Sequence, residues 1–190
     1  MTHKSFLFER EPNWLPAWRG RQGNIPSPVR SWLYERASLT QRLRNTCGHA
    51  FQVRLLQQCR AKPFQGEAKT LQISNGQHAL IREVLLQCDR QPLILARTII
   101  PHRTLRGAHR RLSSLGTRPL GEVIFSYPRL QRLKLEVTHV LKRDWSAESM
   151  AEMAPDSGVW GRRTVYSLSG RKLLVCEFFL PAVLALKERR

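Results

Sequence analysis

The sequence has few cysteines, and none of them are paired at the spacing of a metal site. The four are Cys47, Cys59, Cys88 and Cys176. There is no CxxC pair among them, and no histidine partner at the spacing of a zinc ligand. A structural zinc is therefore not expected, and free, mostly buried thiols fit a reducing compartment.

Long apolar runs are also missing. The most apolar window, Leu173 to Leu186, is interrupted by Glu177 and Pro181 and is too short to span a bilayer. The first ten residues contain no apolar stretch of signal-peptide length. We therefore expect a soluble, cytoplasmic protein.

Acidic residues are scarce. The chain has 14 Asp+Glu against 32 Lys+Arg, a net charge of +18 and a pI of about 11.2. Such a balance is typical of proteins that meet nucleic acid, anionic membranes or anionic small molecules. The basic residues are spread along the chain as singles and pairs, however, and no helix-turn-helix, zinc finger or RNA-binding signature occurs. We expect a broadly positive surface that attracts an anionic ligand, and no dedicated nucleic-acid site.

The common catalytic motifs are absent as well. The sequence contains no G-x-S-x-G, no P-loop, no G-x-G-x-x-G and no H-E-x-x-H, and its six histidines are isolated. Nucleophilic hydrolysis, nucleotide binding through these loops and zinc-dependent hydrolysis are therefore not expected, and no metal site is predicted.

What the chain does contain is enough apolar residue, 42% of 190, for one domain with a sizeable core. Alternating apolar residues predict β-hairpins at 79–100, with a turn at 89–92, and at 159–181, with a turn at Ser169–Gly170. The other predicted elements are two short helices that meet near the N-cap Ser38, strands at 50–57 and 130–141, a loop or lid at 59–77, helices at 104–115 and 118–125, and a surface excursion at 142–158. We predict a single-domain α+β fold with an antiparallel sheet of about six strands, an irregular N-terminal arm over residues 1–28 and the main domain over residues 29–190.

Three charged residues stand on apolar strand faces. Glu177 interrupts an otherwise apolar strand, while Arg82 and Arg97 share faces with aliphatic side chains because side chains alternate along a strand. One interpretation is a structural ion pair, in which an arginine meets Glu83 or Glu177. The other is a dry pocket for a small organic anion, since arginine binds carboxylates bidentately and a glutamate can hydrogen-bond an oxygen at the other end.

Several segments of the sequence together resemble the chorismate pyruvate-lyase family of bacterial ubiquinone biosynthesis. They are L-I-R-E-V-L-L, A-R-T-I-I-P, L-S-S-L-G-T-R-P-L-G-E-V-I-F, V-W-G-R-R and L-S-G-R-K-L-L-V-C-E-F-F-L-P-A, within residues 31–183. The resemblance implies a six-stranded antiparallel sheet with helical flaps over an internal site. It also implies cleavage of chorismate to 4-hydroxybenzoate and pyruvate, with no cofactor or metal. Separately, we expect the protein to be a monomer.

The resemblance also implies which residues form the site. The arginine that binds the ring carboxylate corresponds to Arg82, and the carboxylate that meets the oxygen at the far end of the ring corresponds to Glu177. Leu120 corresponds to a leucine that lines the site. Leu39 stands where the family has a flap methionine, a departure that keeps volume and apolarity. Glu177 would assist by hydrogen bonding to, or by protonating, the departing oxygen, and protonation would require a raised pKa.

A second function class has the same fold. It is the effector-binding module of certain bacterial transcription regulators, which senses small molecules, here an aromatic acid, without catalysis. Those regulators carry an N-terminal winged helix-turn-helix domain, and we expect residues 1–28 to be too short to supply one. A nucleic-acid-associated protein is a third reading, which rests on the charge alone.

Overall fold

The computed structural model describes residues 5–22, 25–74, 76–153 and 158–186. Its strands are β1 Leu15–Pro16, β2 Phe51–Ala61, β3 Ala79–Cys88, β4 Gln91–Pro101, β5 Leu130–Val140, β6 Val159–Leu168 and β7 Arg171–Phe179. They form one antiparallel sheet in the order β1-β5-β6-β7-β4-β3-β2. Six long strands and one two-residue edge strand confirm the predicted α+β class.

Two of the hairpins are those that the alternation of apolar residues predicts. β3 and β4 are joined at Asp89 and Arg90, which have φ of 47° and 65°, and β6 and β7 at Ser169 and Gly170, with φ of 50° and 82°. Two successive residues of positive φ match the right-handed twist of the flanking strands. These tight turns fix the register, and the register decides which side chains share a face.

The helices are shorter than the strands. They are α1 Ala17–Gln22, α2 Ser27–Leu33, α3 Leu39–Cys47, α4 Gln65–Leu71, α5 Leu120–Ile124, α6 Ala147–Met153 and α7 Pro181–Leu184. The side chain of Ser38 accepts a hydrogen bond from the backbone N–H of Gln41, which confirms the predicted N-cap of α3. Gly48, at φ 59°, ends that helix.

The sheet has two different faces. One face, here called the pocket face, carries Arg82, Thr98, Val175 and Thr164 as one row of neighbours across four strands. Helices α2, α3 and α5 lie over it, and its apolar residues form two separate clusters. The space between the two apolar clusters leaves room for a binding site on this face.

The opposite face, here called the covered face, is closed by the N-terminal segment, α4 and α6. Leu7 and Phe8 are fully buried against it, and the Phe8 ring stacks on Trp145 with centroids 4.8 Å apart. The Ser149 hydroxyl donates to the Leu7 carbonyl, which attaches α6 to the same segment. This face therefore belongs to the core of the protein.

Several predicted elements differ from the structure. The segment 59–77, predicted as loop, contains the end of β2 and the helix α4, whose Glu67 is drawn inward by an ion pair. The helix predicted at 104–115 is two 3₁₀ stretches, His102–Leu105 and Gly107–Ser113. The surface excursion predicted at 142–158 buries Trp145, Ser146 and Ser149.

The N-terminal arm predicted as irregular contains β1 and α1, and α2 begins at Ser27, inside the predicted range. Its residues 1–4, 23 and 24 lie outside the described residues. The division of the chain at residue 28 stays a prediction.

Candidate active site

A cavity lies between the pocket face and the helices above it. The space free of atoms there is about 520 Å³, including its connection to solvent. Its walls are formed by Ser38, Leu39, Thr40, Val53, Arg82, Val84, Leu86, Ala96, Thr98, Pro119, Leu120, Gly121, Ile124, Phe125, Arg162, Tyr166, Val175 and Glu177. All four residues predicted for the site, Leu39, Arg82, Leu120 and Glu177, are among them.

Arg82 is a buried cation without a carboxylate partner in the described part of the chain. Its side chain is 1% exposed, and its Nη2 donates to the carbonyl oxygens of Gly116 and Arg118 at 2.9 and 3.0 Å. Its Nε is buried and has no hydrogen-bond acceptor. Burial lowers the pKa of Arg82 to about 10, because the charged form has lost its water. A guanidinium in this state favours the arrival of an anion.

Glu177 is held by an arginine that the sequence reasoning missed. The Nε of Arg162 donates to Oε2 of Glu177 at 2.7 Å, and Arg162 is 1% exposed. The partner could have been found by counting back from the turn. The two-residue turn at Ser169 and Gly170 sets Arg162 opposite Glu177, and paired residues of antiparallel strands share a face.

Arg162 also ties the site to the helices above the sheet. Its Nη1 donates to the carbonyl oxygens of Trp32, Leu33 and Glu35 at 3.3, 3.3 and 2.7 Å. These carbonyls lie at and beyond the C-terminal end of α2, where a helix has acceptors without internal partners. One guanidinium therefore fixes both the carboxylate in the cavity and the segment that leads to α3.

Arg97 lies on the covered face and does not reach the cavity. Its Nη1 donates to Oε1 of Glu83 at 2.6 Å, and its Nε and Nη2 donate to the carboxylate of Glu67 at 2.7 and 2.9 Å. Of the two partners expected for it, Glu83 is found and Glu177 is not. Arg97 thus belongs to a structural ion-pair network. The observed register pairs Arg82 with Thr98 and Glu83 with Arg97, which places Arg97 on the opposite face from Arg82.

Tyr166 adds a hydroxyl to the cavity wall. Burial raises its pKa, and the charge of Glu177 raises it further, so the hydroxyl stays protonated at neutral pH. The guanidinium of Arg132 lies 5.4 Å from the centroid of the Tyr166 ring and 5.9 Å from that of Phe125. Neither Tyr166 nor Arg132 was singled out in the sequence analysis.

The helices that close the cavity touch each other at Gly121. A Cβ at that position would lie 2.8 Å from Oγ1 of Thr40 and 2.9 Å from Oγ of Ser38. Glycine therefore lets the start of α5 approach the start of α3, and this contact brings Leu39 and Leu120 into the same wall. The two helix starts thus give the cavity the apolar side chains of Leu39 and Leu120 beside the hydroxyl groups of Ser38 and Thr40.

No metal ligands gather in the described ranges. No group of three or more His, Cys, Asp or Glu side chains within them could hold an ion, and the four cysteines are unbonded thiols. No described helix is both long and apolar enough to cross a membrane.

The family model and the similar proteins found by comparison point to the same family. The model of the chorismate lyase family matches residues 13–189. A probable chorismate pyruvate-lyase of Methylococcus capsulatus is 47% identical over 160 residues, which are 84% of this chain and 99% of that protein. A probable chorismate pyruvate-lyase of Aromatoleum aromaticum is 39% identical over 91% of this chain and 94% of that protein.

A solved structure shares the fold at low identity. A GntR-family transcriptional regulator from Bacillus cereus superposes with a TM-score of 0.55 and 14% identity, over 74% of this chain and 99% of that one. At this identity the similarity shows the fold alone.

Proposed function

The chain belongs to the chorismate lyase family, and on that premise we propose that it cleaves chorismate to 4-hydroxybenzoate and pyruvate, the first committed step of ubiquinone biosynthesis. Support from the site comes above all from one observation. A buried, unpaired guanidinium and an ion-paired carboxylate line one cavity whose other walls are largely apolar. That arrangement suits a ring with a carboxylate at one end and an oxygen at the other.

The reaction determines what the protein must supply. Cleavage breaks the bond between a ring carbon and the enolpyruvyl oxygen, and the C–H bond at the neighbouring ring carbon, which carries the hydroxyl group. The ring becomes aromatic, and the proton ends on the enolpyruvyl carbon, which gives pyruvate. Because the step is redox-neutral and driven by aromatisation, the proposal needs no cofactor or metal. The protein's task is to hold the reactive conformation away from water.

In this proposal Arg82 binds the ring carboxylate. Its Nε has no acceptor, and its Nη2 is steadied by two carbonyl oxygens. A carboxylate here would restore the interaction that the buried cation lacks. Arg82 would thus set the position of the ring.

Glu177 would meet the ring hydroxyl at the far end. Because a carboxylate held by a guanidinium is a hydrogen-bond acceptor only, the pair with Arg162 argues against both roles expected for Glu177 at the departing ether oxygen, which has no proton to donate. It supports a hydrogen bond accepted from the neighbouring ring hydroxyl. Accepting from the hydroxyl would draw electron density toward the ring as the neighbouring C–O bond breaks. Leu39 and Leu120 would exclude water above the ring.

The direct test is to incubate the protein with chorismate, following 4-hydroxybenzoate by absorbance and pyruvate by a coupled dehydrogenase. We expect the two products in equal amounts. Arg82→Ala should abolish turnover, whereas the matched control Arg118→Ala should not, because Arg118 is exposed and only its carbonyl meets Arg82. Binding of 4-hydroxybenzoate without turnover would identify a sensor instead. Salt-sensitive DNA binding alone would identify a nucleic-acid-associated protein.

Two further features belong to the proposal. We propose that the protein acts as a monomer, which gel filtration with light scattering would test. We also propose that it works in the cytoplasm, which cell fractionation would test.

A further inference from the structure

Chorismate has two carboxylates, but among the described residues that line the cavity Arg82 alone is a cation without a carboxylate partner. Arg82 is available for the ring carboxylate, whereas Arg162 is already neutralised by Glu177 at 2.7 Å. The carboxylate on the enolpyruvyl group therefore needs another partner, because a charged group that leaves water unpaired is costly. The need for this second partner rests on the proposed function.

Arg132 lies next to the cavity and is separated from Arg82 across the width of the sheet. It stands on β5 in register with Tyr166 on β6, while Arg82 stands on β3, and β6, β7 and β4 lie between them. Its guanidinium lies near the ring centroids of Tyr166 and Phe125, at 5.4 and 5.9 Å, and both rings line the cavity. The two arginines thus bracket the space that the ring and its side group would occupy.

The hydrogen bonds of Arg132 hold it in place without neutralising it. Its Nη1 donates to the Glu35 carbonyl at 2.8 Å and its Nη2 to the Ala37 carbonyl at 3.4 Å. Neither acceptor is charged, and among the described residues no carboxylate forms an ion pair with Arg132. A guanidinium has five N–H donors, so donors remain for an incoming carboxylate.

We propose that Arg132 binds the enolpyruvyl carboxylate of chorismate and so distinguishes the substrate from 4-hydroxybenzoate. The product lacks this carboxylate, and its contacts would be limited to the Arg82 and Glu177 ends of the cavity. Arg132 is then a specificity-determining residue that acts on the part of the molecule that leaves. The Tyr166 ring, whose centroid lies 5.4 Å from the guanidinium of Arg132, packs beside this residue.

The test compares two ligands on one variant. In Arg132→Gln, kcat/KM for chorismate should fall about 10- to 100-fold, the loss expected for a charge-assisted hydrogen bond. The inhibition constant of 4-hydroxybenzoate should stay within about twofold of the wild-type value, the spread expected for a contact that is not made. Arg132→Lys should recover part of the loss, and the control Arg129→Gln, an exposed arginine of the preceding turn, should change neither constant.

Two results would overturn the inference. An unchanged kcat/KM for chorismate would remove Arg132 from substrate binding. An equal loss for chorismate and 4-hydroxybenzoate would mean that Arg132 only holds residues 35–37 in place through their carbonyls. Absence of turnover in the wild-type protein is a different outcome, because it would reject the proposed function itself.

Discussion

At the scale of single residues, the site is marked by a cation that the fold leaves uncompensated. Arg82 is as buried as Arg162, yet only Arg162 has a carboxylate partner among the described residues. Burying a charge without a partner opposes folding, and the lowered pKa of Arg82 records that penalty. A group kept at such a cost is typical of a binding site, where function and stability compete.

Replacing Arg82 by Met should separate stability from binding. The apoprotein should be as stable as the wild type or more stable, by about 1–4 kcal/mol, because an isolated buried charge has become apolar. Affinity for 4-hydroxybenzoate should fall by about 2–5 kcal/mol. Thermal unfolding and calorimetric titration measure the two effects. A variant that loses stability but keeps its affinity would show that Arg82 is a structural residue.

Glu177→Gln tests the carboxylate at the other end of the cavity. Glutamine keeps the shape and an acceptor oxygen but loses the charge, so we expect kcat to fall about 10- to 100-fold, the loss expected for a charge-assisted hydrogen bond. Glu136→Gln is the matched control, because Glu136 accepts from Arg163 Nε at 2.7 Å, as Glu177 does from Arg162, but on the covered face. The control should leave kcat unchanged. Full activity of Glu177→Gln with an unaltered pH profile would contradict the assigned role.

Glu136 should instead affect how the stability of the protein depends on pH. Burial by itself would raise its pKa, but hydrogen bonds from Arg163 and Lys134 lower the pKa below the ordinary value of 4.5. A carboxyl group with a depressed folded-state pKa stabilises the protein above its unfolded pKa, and that stability is lost as the pH falls through the folded value. Glu136→Gln should therefore be less stable at pH 7, by about 1–3 kcal/mol. The difference from the wild type should shrink below about pH 4.5, as urea unfolding at several pH values would show. A difference that stays constant down to pH 2 would contradict the ion pair.

At the scale of elements, closure of the cavity depends on a contact between the starts of two helices. Gly121 of α5 leaves no room for a Cβ beside Thr40 and Ser38 of the α3 start. Gly121→Ala should push α5 away, open the wall formed by Leu39 and Leu120 and weaken 4-hydroxybenzoate binding about 10-fold.

A second substitution makes this prediction specific. Thr40→Ala removes the Oγ1 atom that a Cβ at Gly121 would meet at 2.8 Å. The double variant should therefore bind 4-hydroxybenzoate more tightly than Gly121→Ala alone, a coupling that a double-mutant cycle measures. Strictly additive effects would mean that the helices do not press on each other there.

Elements with strong local signals were predictable from the sequence, and those held by distant contacts were not. The hairpins 79–101 and 159–179 follow from alternation and turn residues, and Ser38 from its capping spacing. Helix α4 is polar in sequence, and its inward orientation depends on Glu67 reaching Arg97, thirty positions away. The segment 102–113 has helical spacing but forms 3₁₀ turns, in which Thr104 donates to the Lys172 carbonyl of β7.

The same distinction explains the site. Arg82 and Glu177 stand out because each is a charge on an apolar strand face, a signal within one strand. Arg162 requires pairing two strands, and Arg132 requires knowing that residues 35–37 cross over β5. Leu39 and Leu120 lie in one wall only after two helices meet above the sheet. The charged residues of the site were therefore easier to predict from the sequence than the contact between helices that closes the cavity.

At the scale of the whole molecule, one sheet carries buried charged groups on both faces, and the two faces differ in whether their arginines have carboxylate partners. On the covered face, Arg97 pairs with Glu67 and Glu83 and Arg163 pairs with Glu136, so both of these buried arginines have carboxylate partners. On the pocket face, Glu177 cancels Arg162, while Arg82 is left over. The local excess of positive charge therefore lies where an anionic ligand would bind, inside a chain whose net charge is +18.

This charge should control how fast the substrate arrives. A positive surface accelerates the encounter with an anion, and salt screens the attraction as the Debye length falls from about 30 Å at 0.01 M to about 8 Å at 0.15 M. Over that range the association rate of chorismate, a dianion, should fall about 3- to 10-fold, and that of 4-hydroxybenzoate, a monoanion, distinctly less. Stopped-flow tryptophan fluorescence measures both rates, and dissociation rates should change little because the bound groups are screened weakly. Equal salt dependence for the two ligands would mean that their charge is not what the surface attracts.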